Sequence, residues 1–252
     1  MNRARGRARH APRVRKTVMH TRRALIAVVT CSLVLITAAQ TAAQTGPVAA
    51  YGFDEGTGTT AADATGNGRT GTISGATWNS SGRFGSSLTF DGVNDRVNIA
   101  DHALLDLTTG MTLEAWVRPS ALGASWRTVI LKEQTAQLVY ALYAHTDTSR
   151  PSGHVYIGGD IDVRGTAQVA LDAWTHLAAT YDGATLRLYA NGTLAASRAI
   201  AGSMVASTAP LRFGGNAVWP EWFAGLIDEI RIYNRALSAA EIQTDMQRSV
   251  TP

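Results

Sequence analysis

Short runs in which apolar and polar residues alternate recur along most of the chain. In the run 111–118, Met, Leu, Ala and Val occupy every second position, and Thr, Glu, Trp and Arg lie between them. A period of two is typical of a β-strand with one buried face. Pro119 follows, and we expect it to end this strand because proline has no amide hydrogen to donate to a neighbouring strand.

Two pairs of turn residues enclose a predicted strand in the second half of the chain. An Asp-Gly pair at 182–183 and an Asn-Gly pair at 191–192 flank the run 185–190, and another alternating run follows at 193–199. Such pairs supply the positive φ angles of tight hairpins, so we predict an antiparallel meander here. Short strands at regular spacing indicate a β-sandwich or a barrel. Further strands are predicted at 48–53, 87–90, 96–99, 128–132, 138–144, 154–158, 174–181, 211–214 and 226–233.

One short helix is predicted near the C-terminus, at 238–246. Ser238 and Glu241 have the spacing of a capping box, in which each side chain accepts a hydrogen bond from the other residue's backbone amide. Ile242 and Met246 follow at helical separation. The predicted fold is therefore all-β, with a short C-terminal helix.

Residues 1–44 have the composition of a secretory signal peptide. Nine Lys and Arg residues and no acidic residue lie within 1–23, a run without charge follows at 24–39, and small residues suited to cleavage extend to position 44. We therefore expect a secreted, extracellular protein whose domain spans 45–252. The alternative is an uncleaved leader, which would be the protein's only contact with a membrane.

The charge of the predicted domain differs from that of the leader. From Thr45 onward, 14 Lys and Arg residues stand against 19 Asp and Glu residues, a net charge of −5. A mildly acidic domain lacks the basic surface on which nucleic-acid binding depends, so we exclude nucleic acid as a partner. The single cysteine, Cys31, lies in the leader. Disulfides, thiolate nucleophiles and cysteine-ligated metals are therefore excluded from the domain.

Five segments with characteristic residues follow one another along the domain. The first segment spans 51–60 and 63–68 and begins Tyr-Gly-Phe-Asp-Glu-Gly. The last reads Gly-Leu-Ile-Asp-Glu-Ile-Arg-Ile-Tyr-Asn-Arg-Ala-Leu-Ser at 225–238, and Glu-Ile follows at 241–242. Between them lie 83–92, 111–119, and 174–183 with 188–192. Together they resemble the laminin-G-like jelly-roll domain of the concanavalin A-like lectin/glucanase superfamily, in its secreted bacterial form. The resemblance implies a single antiparallel β-sandwich, or jelly roll, but no particular activity, because this fold carries lectins, adhesion modules and enzymes.

A structural calcium ion is the cofactor that we expect. Asp54, Asp63 and Asn67 lie among glycines in the segment after the first strand, and calcium prefers several oxygen ligands from a sharply bending chain. The resemblance implies that an acid from the last strand, Asp228, completes the site. The alternative is that these side chains only form hydrogen bonds within turns.

A second calcium motif is rejected. The run 160–165 begins like an EF-hand loop, but Arg164 stands at its fifth position and Leu171 at its twelfth. We interpret this run as a turn at the end of a strand.

No catalytic pair is recognisable in the sequence. Glycosidases need two carboxylates that face one cleft. Asp228 and Glu229 are adjacent and are therefore expected on opposite faces of a strand. Glu114 has no acidic partner in its own run. A lyase-type site could use residues that sequence alone does not bring together: Tyr140, Tyr143, His145 and Arg164.

Aromatic residues in predicted loops are the candidate ligand-binding residues. Sugars stack on aromatic rings, and polar side chains beside the rings bind their hydroxyl groups. We select Trp126, Arg127, Trp219 and Trp222. The predicted function is a secreted, non-catalytic recognition module for carbohydrate or polysaccharide. Two alternatives stay open: a polysaccharide-degrading hydrolase or lyase, and an adhesion module that binds a cell-surface or matrix protein.

Overall fold

The computed structural model describes residues 45–251, which form a sandwich of two antiparallel β-sheets. The apolar core lies between the sheets. This confirms the predicted all-β sandwich, and the predicted signal peptide lies outside the described residues. In the part of the chain that the structure describes, no helix is long and apolar enough to cross a membrane.

The described chain contains short strands, one 3₁₀-helix (Ala103–Leu105) and one α-helix. In chain order the strands and the α-helix are β1 (Ala49–Tyr51), β2 (Thr60–Ala61), β3 (Gly71–Ser74), β4 (Thr77–Asn79), β5 (Ser87–Asp91), β6 (Arg96–Ile99), β7 (Met111–Ala121), β8 (Arg127–Gln134), β9 (Gln137–His145), β10 (Ser152–Tyr156), β11 (Asp160–Arg164), β12 (Thr175–Tyr181), β13 (Thr185–Ala190), β14 (Thr193–Ala199), β15 (Leu211–Phe213), β16 (Ala224–Tyr233) and α1 (Ala239–Asp245). The predicted strands all form, and β2, β3, β4 and β11 are additional to them.

Each sheet contains eight strands. Sheet A has the order β14-β13-β12-β7-β16-β5-β4, and β1 pairs with the remaining part of β16. Sheet B has the order β11-β10-β9-β8-β15-β6-β3-β2. The predicted meander is present as β12, β13 and β14, which pair in sequence order. In each sheet a late strand lies between two earlier ones, β16 between β7 and β5 and β15 between β8 and β6, as in a jelly roll.

Strand β7 confirms the alternating pattern and corrects its predicted end. Met111, Leu113 and Val117 all lie in the core between the sheets. The strand continues through Pro119 to Ala121. Proline is tolerated there because the pairing of β7 with β12 extends only as far as Val117.

The outer face of sheet A is covered by the C-terminal segment. The predicted capping box forms: the Ser238 side chain accepts from the Glu241 amide, and the Glu241 carboxylate accepts from the Ser238 amide at 2.8 Å. Ile242 then packs with Tyr233 and Leu237 on this face. The polar side of β7, which the pattern predicted to be exposed, is consequently buried, and Glu114 is wholly inaccessible.

The run 160–165 was wrongly interpreted as a turn. Residues 160–164 form the edge strand β11, which pairs with β10 in the register Tyr156↔Asp160. The tight connection at Gly158 supplies the positive φ angle that the hairpin needs. This pairing places Asp160 beside β10 and thereby next to the candidate site described below.

Strand β16 changes its neighbour halfway along its length. Residues 224–227 pair with β5, whereas residues 230–232 pair with β1. At the change, Glu229 has a φ of 56° and the register against β7 shifts. This bulge interrupts the alternation from which we expected Asp228 and Glu229 to lie on opposite faces.

Buried Glu114 predicts an unusual pH dependence of stability. Its two carboxylate oxygens have no hydrogen-bond partner among the described residues, and burial raises its pKa well above the ordinary value of 4.5. The folded state therefore keeps a proton that the unfolded state loses as the pH rises above 4.5. We expect the stability of Glu114→Gln relative to the native chain to grow with pH above that value, by at most about 1.4 kcal/mol per unit.

Urea unfolding between pH 4 and pH 8 measures this difference. Glu241→Gln is the matched control, because the hydrogen bonds from Ser238 lower the pKa of Glu241. Replacing the Glu241 carboxylate lowers stability at pH values above its ordinary pKa of 4.5 and has no effect well below that pH. This is the opposite of the trend expected for Glu114→Gln. Parallel pH curves for Glu114→Gln and the native chain would show that Glu114 is ionised in the folded state.

Candidate functional site

A cavity of about 230 Å³ opens on the outer face of sheet B, over strands β8 to β11. Two of the sequence-predicted residues, Trp126 and Trp219, line it. Trp126 lies in the connection between β7 and β8, and Trp219 lies in the connection between β15 and β16. The sheet and the two connections supply the other lining residues, which are Leu138, Tyr143, His154, Asp160 and Glu221.

Three aromatic rings form one edge-to-face cluster at the cavity. The ring centroids are 5.0 Å apart for Trp126 and Tyr143, 5.5 Å for Trp126 and His154, and 5.1 Å for Tyr143 and His154. These are favourable separations for aromatic pairs. Since Tyr143 and His154 extend from neighbouring strands, the sheet fixes the position of the Trp126 ring.

Hydrogen bonds fix the orientation of the His154 ring. Its Nε2 atom lies 2.8 Å from the Ser152 hydroxyl, and its Nδ1 atom lies 2.9 Å from Asp160 Oδ1. The order serine, histidine, aspartate resembles a nucleophilic triad. Ser152 is fully buried and does not line the cavity. Ser152 and Asp160 therefore hold the His154 ring in place, and the Ser152 hydroxyl does not face the cavity.

Asn216 organises the connection that carries Trp219. Its carbonyl oxygen accepts from the backbone amides of Val218 and Trp219, at 3.0 and 2.7 Å. Its amide nitrogen donates to Thr128 Oγ1 and to Glu221 Oε2, both at 3.0 Å. This wholly buried side chain thus uses both of its polar ends to position an aromatic and an acidic residue of the cavity.

Glu221 and Tyr143 form the polar floor of the cavity. The Tyr143 hydroxyl donates to Glu221 Oε2 at 2.9 Å. Burial raises the pKa of Glu221, and the hydrogen bonds from Tyr143 and Asn216 oppose that rise. Burial also raises the pKa of Tyr143, and the charge of Glu221 adds to the rise. Tyr143 therefore stays protonated and acts as a donor at neutral pH.

Arg127 lies beside the site but does not line the cavity. Its Nε atom donates to the carbonyl of Leu122 at 2.8 Å, and its Nη1 atom donates to the carbonyl of Trp222 at 2.6 Å. Arg127 therefore joins the two connections that carry Trp126 and Trp219. A direct contact of Arg127 with a ligand stays a prediction.

Trp222 also lies outside the cavity lining. Its ring packs so closely on Gly215 that a Cβ atom there would collide with it. The Arg96 guanidinium stacks over the same ring, at 5.9 Å from its centroid. Trp222 is thus half-buried against sheet B, and the structure does not bring it together with Trp126 and Trp219.

Five lining residues were not selected from the sequence as ligand contacts: Leu138, Tyr143, His154, Asp160 and Glu221. Strand β9 is apolar on both faces, because Leu142 and Ala144 enter the core while Ala141 and Tyr143 pack outside it. The alternating pattern therefore could not show whether the Tyr143 side chain lies on the core face or on the outer face of the strand. The acid Glu221 stands two residues after Trp219, and that proximity was the available signal.

The predicted calcium ligands fall into two pairs. Asp54 and Asp228 lie against one connection, because Asp54 Oδ1 accepts from the Ser86 amide at 2.7 Å, and Asp228 Oδ2 accepts from the Arg83 and Phe84 amides at 2.7 and 3.2 Å. A Cβ atom at Gly85 would collide with the Asp54 carboxylate, so this close approach requires glycine.

The surroundings of Asp228 are unusually acidic. Burial and the charge of Glu229 raise the pKa of Asp228 to about 8. Burial also raises the pKa of Glu229 to about 7, although Arg231 pairs with it at 3.1 Å, and the charge of Asp54 contributes to the rise. One buried Glu229 oxygen has no partner among the described residues. A cation at this point would offset these charges.

Asp63 and Asn67 have other partners. Asp63 accepts from the amides of Ala50, Thr65 and Arg69, and its carboxylate lies 3.5 Å from the Arg69 guanidinium. Asn67 donates to the carbonyl of Val48. Within residues 45–251, no three His, Cys, Asp or Glu side chains converge to hold a metal ion. Calcium stays a prediction.

The two antiparallel sheets packed face to face form a jelly roll, with a cavity over the outer face of one sheet. The sequence profile described as the concanavalin A-like lectin/glucanases superfamily, family Laminin_G_3, matches residues 90–243. That match covers more than half of the chain, so the chain belongs to this superfamily. No curated protein matches the chain.

Several solved structures share the fold. Domain 4 of AbnA, a GH43 extracellular arabinanase from Geobacillus stearothermophilus in complex with arabinotriose, is 24% identical with a TM-score of 0.69, covering 80% of this chain and 98% of that one. The binding domain of Paraclostridial Mosquitocidal Protein 1 is 17% identical with a TM-score of 0.66, covering 80% and 52%. Trypanosoma rangeli sialidase is 16% identical with a TM-score of 0.62, covering 82% and 33%. At these identities the similarity shows the fold.

The role of Asn216 predicts that its loss weakens the fold around the cavity. In Asn216→Ala, the Val218 and Trp219 amides and Glu221 lose a partner in a buried setting. Such losses cost about 1–3 kcal/mol, or roughly 2–10 °C in melting temperature for a domain of this size. Thermal unfolding measures the effect.

Asn79→Ala serves as the control, since Asn79 caps an exposed turn through the Ser81 amide at 2.8 Å. We expect a change within about 0.5–1 kcal/mol for this variant. Equal effects of the two substitutions would argue against a special role for Asn216.

Proposed function

We propose that this protein is a secreted, non-catalytic carbohydrate-binding module whose site is the cavity over sheet B. The observation that carries the proposal is that Trp126 and Trp219 line the same cavity together with polar side chains. Aromatic rings stack on the CH faces of a sugar, and the carboxylates of Asp160 and Glu221 accept hydrogen bonds from its hydroxyl groups. The remaining cavity residues hold these groups in place before a ligand arrives, which lowers the entropic cost of binding.

The comparisons support this class of ligand. One structural neighbour is a domain of an extracellular arabinanase in complex with arabinotriose. Another is a botulinum neurotoxin binding domain in complex with SialylT, with a TM-score of 0.60. These neighbours also favour secretion of the present chain, in agreement with the composition of its leader.

A second candidate function is glycan cleavage. The specific observation in its favour is that two carboxyl groups, Asp160 and Glu221, face the same cavity, and that burial raises the pKa of Glu221 as a general acid requires. The lyase arrangement considered from the sequence is weaker, because Tyr143 keeps its proton and cannot act as the base. Product formation decides between binding and cleavage.

We also propose a structural calcium ion at Asp54 and Asp228. Calcium takes carboxylate and backbone carbonyl oxygens, both of which are present where the connection around Gly85 meets β16. The excess of buried acid around Asp228 and Glu229 supports the proposal. An ion there would stabilise the fold and would not take part in sugar chemistry.

Removal of either cavity tryptophan is expected to abolish most sugar binding. Trp126→Ala and Trp219→Ala each remove a ring from the cavity wall, and loss of a stacking ring typically weakens binding by about 1–3 kcal/mol or roughly 5- to 150-fold. Calorimetric titration with arabinotriose, and with the best ligands from a glycan array, measures the change.

Trp78→Ala is the matched control. Trp78 lies on β4, at the far edge of sheet A, and its Nε1 atom donates to the carbonyl of Gly58 at 2.8 Å. Its loss should lower stability and leave sugar affinity within about twofold of the native value. A product assay on the same glycans tests cleavage, and turnover would favour the enzyme. Silence across the array would favour an adhesion module that binds a cell-surface or matrix protein.

Calcium is expected to raise the melting temperature of the native chain but not of Asp228→Asn. At a calcium concentration 100-fold above Kd, mass action stabilises the fold by about 2.7 kcal/mol, or roughly 5–10 °C. Thermal unfolding in calcium and in EDTA measures the difference.

Asp63→Asn is the control for this experiment. It should lower the melting temperature equally in calcium and in EDTA, because Asp63 binds backbone amides and Arg69. If the native chain melts at the same temperature in both solutions, the calcium proposal fails.

A further inference from the structure

We infer that the cavity accepts sugar units without a carboxylate and rejects sialic and uronic acids. The inference rests on the proposed function, and it adds a rule for the class of sugar. Its basis is the balance of charge around the cavity. Of the seven lining residues, Asp160 and Glu221 are acids and none is lysine or arginine.

His154 is the one basic side chain among the lining residues, and both of its ring nitrogens are already engaged. Nε2 is bonded to Ser152 and Nδ1 to Asp160. A carboxylate on a sugar would have to break one of these contacts to reach the ring. His154 therefore gives an anionic ligand no free donor.

The Arg164 guanidinium contacts one of the cavity aromatics, and it is already paired with carboxylates. It lies over the Trp126 ring at 5.4 Å from the centroid. Its Nε atom pairs with Asp162 at 2.5 Å, and its Nη1 atom pairs with Asp147 at 2.7 Å. Arg198 also pairs with Asp162, at 3.4 Å. The two guanidiniums and the two carboxylates therefore balance in charge, so Arg164 does not turn the site into an anion receptor.

A carboxylate-bearing sugar would therefore place a negative charge beside Asp160 and Glu221. Juxtaposed like charges disfavour a complex, and such repulsion is a common source of specificity. Ionised carboxylates only accept hydrogen bonds, so they suit the hydroxyl groups of neutral sugars. The ammonium group of an amino sugar carries hydrogen-bond donors and a positive charge. An amino sugar without a carboxylate therefore also suits the two acids.

A glycan array with matched pairs tests the inference on the full chain. Lactose is paired with sialyllactose, and galactotriose with trigalacturonic acid, alongside arabinotriose and other neutral oligosaccharides. We expect the tightest neutral ligand to bind at least tenfold more tightly than any acidic glycan, a difference of 1.4 kcal/mol or more. Equal or tighter binding of an acidic glycan overturns the inference and leaves the proposed function standing. Silence across all glycans contradicts both.

Charge-removing variants identify the cause of the exclusion. In Asp160→Asn with Glu221→Gln, the preference for neutral over acidic glycans should fall below threefold. Glu221→Gln alone provides a milder test if the double variant melts early. Asp182→Asn, in the connection from β12 to β13 where Asp182 pairs with Arg187, removes a distant charge and should keep the full preference. An undiminished preference in both cavity variants would contradict the assignment of the exclusion to these two acids.

Discussion

The Asp228 carboxylate accepts hydrogen bonds from two backbone amides, and the closure of this sandwich depends on them. Strand β16 exchanges one neighbour for another at this residue, and the chain segment that leads into β5 would otherwise leave the Arg83 and Phe84 amides unsatisfied. Asp228 bonds to residues more than 140 positions earlier in the sequence. Because β16 also pairs with β7, this single side chain links the first, middle and last parts of the fold.

The same closure determines which surface is available for function. The chain that follows β16 folds back over the outer face of sheet A, where it buries Glu114 and packs α1 on Tyr233. Sheet B carries the aromatic cavity on its own outer face. A sandwich of two eight-stranded sheets thus acquires one covered face and one face with an open cavity.

Local sequence predicted the strands better than it predicted the site. The core side of β7 followed from alternation, and the capping box located α1 to within a residue. The pattern failed where both faces of a strand are apolar, as in β9, and it misread 160–164 because a polar edge strand resembles a turn. Trp126 and Trp219 were selected because they stand in predicted loops, and both line the cavity. Tyr143 and His154 are adjacent only through pairing between β9 and β10, which no local pattern contains.

Arg127 links the carbonyls of Leu122 and Trp222, and this link limits how the cavity can be engineered. The connection before β8 and the connection before β16 are held at a fixed separation by one guanidinium, so neither can change length without displacing the other. A transplant of this site onto another sandwich would therefore require both connections, the arginine and the underlying strands as one unit. The lining of the cavity is therefore easier to change by exchanging side chains on that frame than by remodelling its loops.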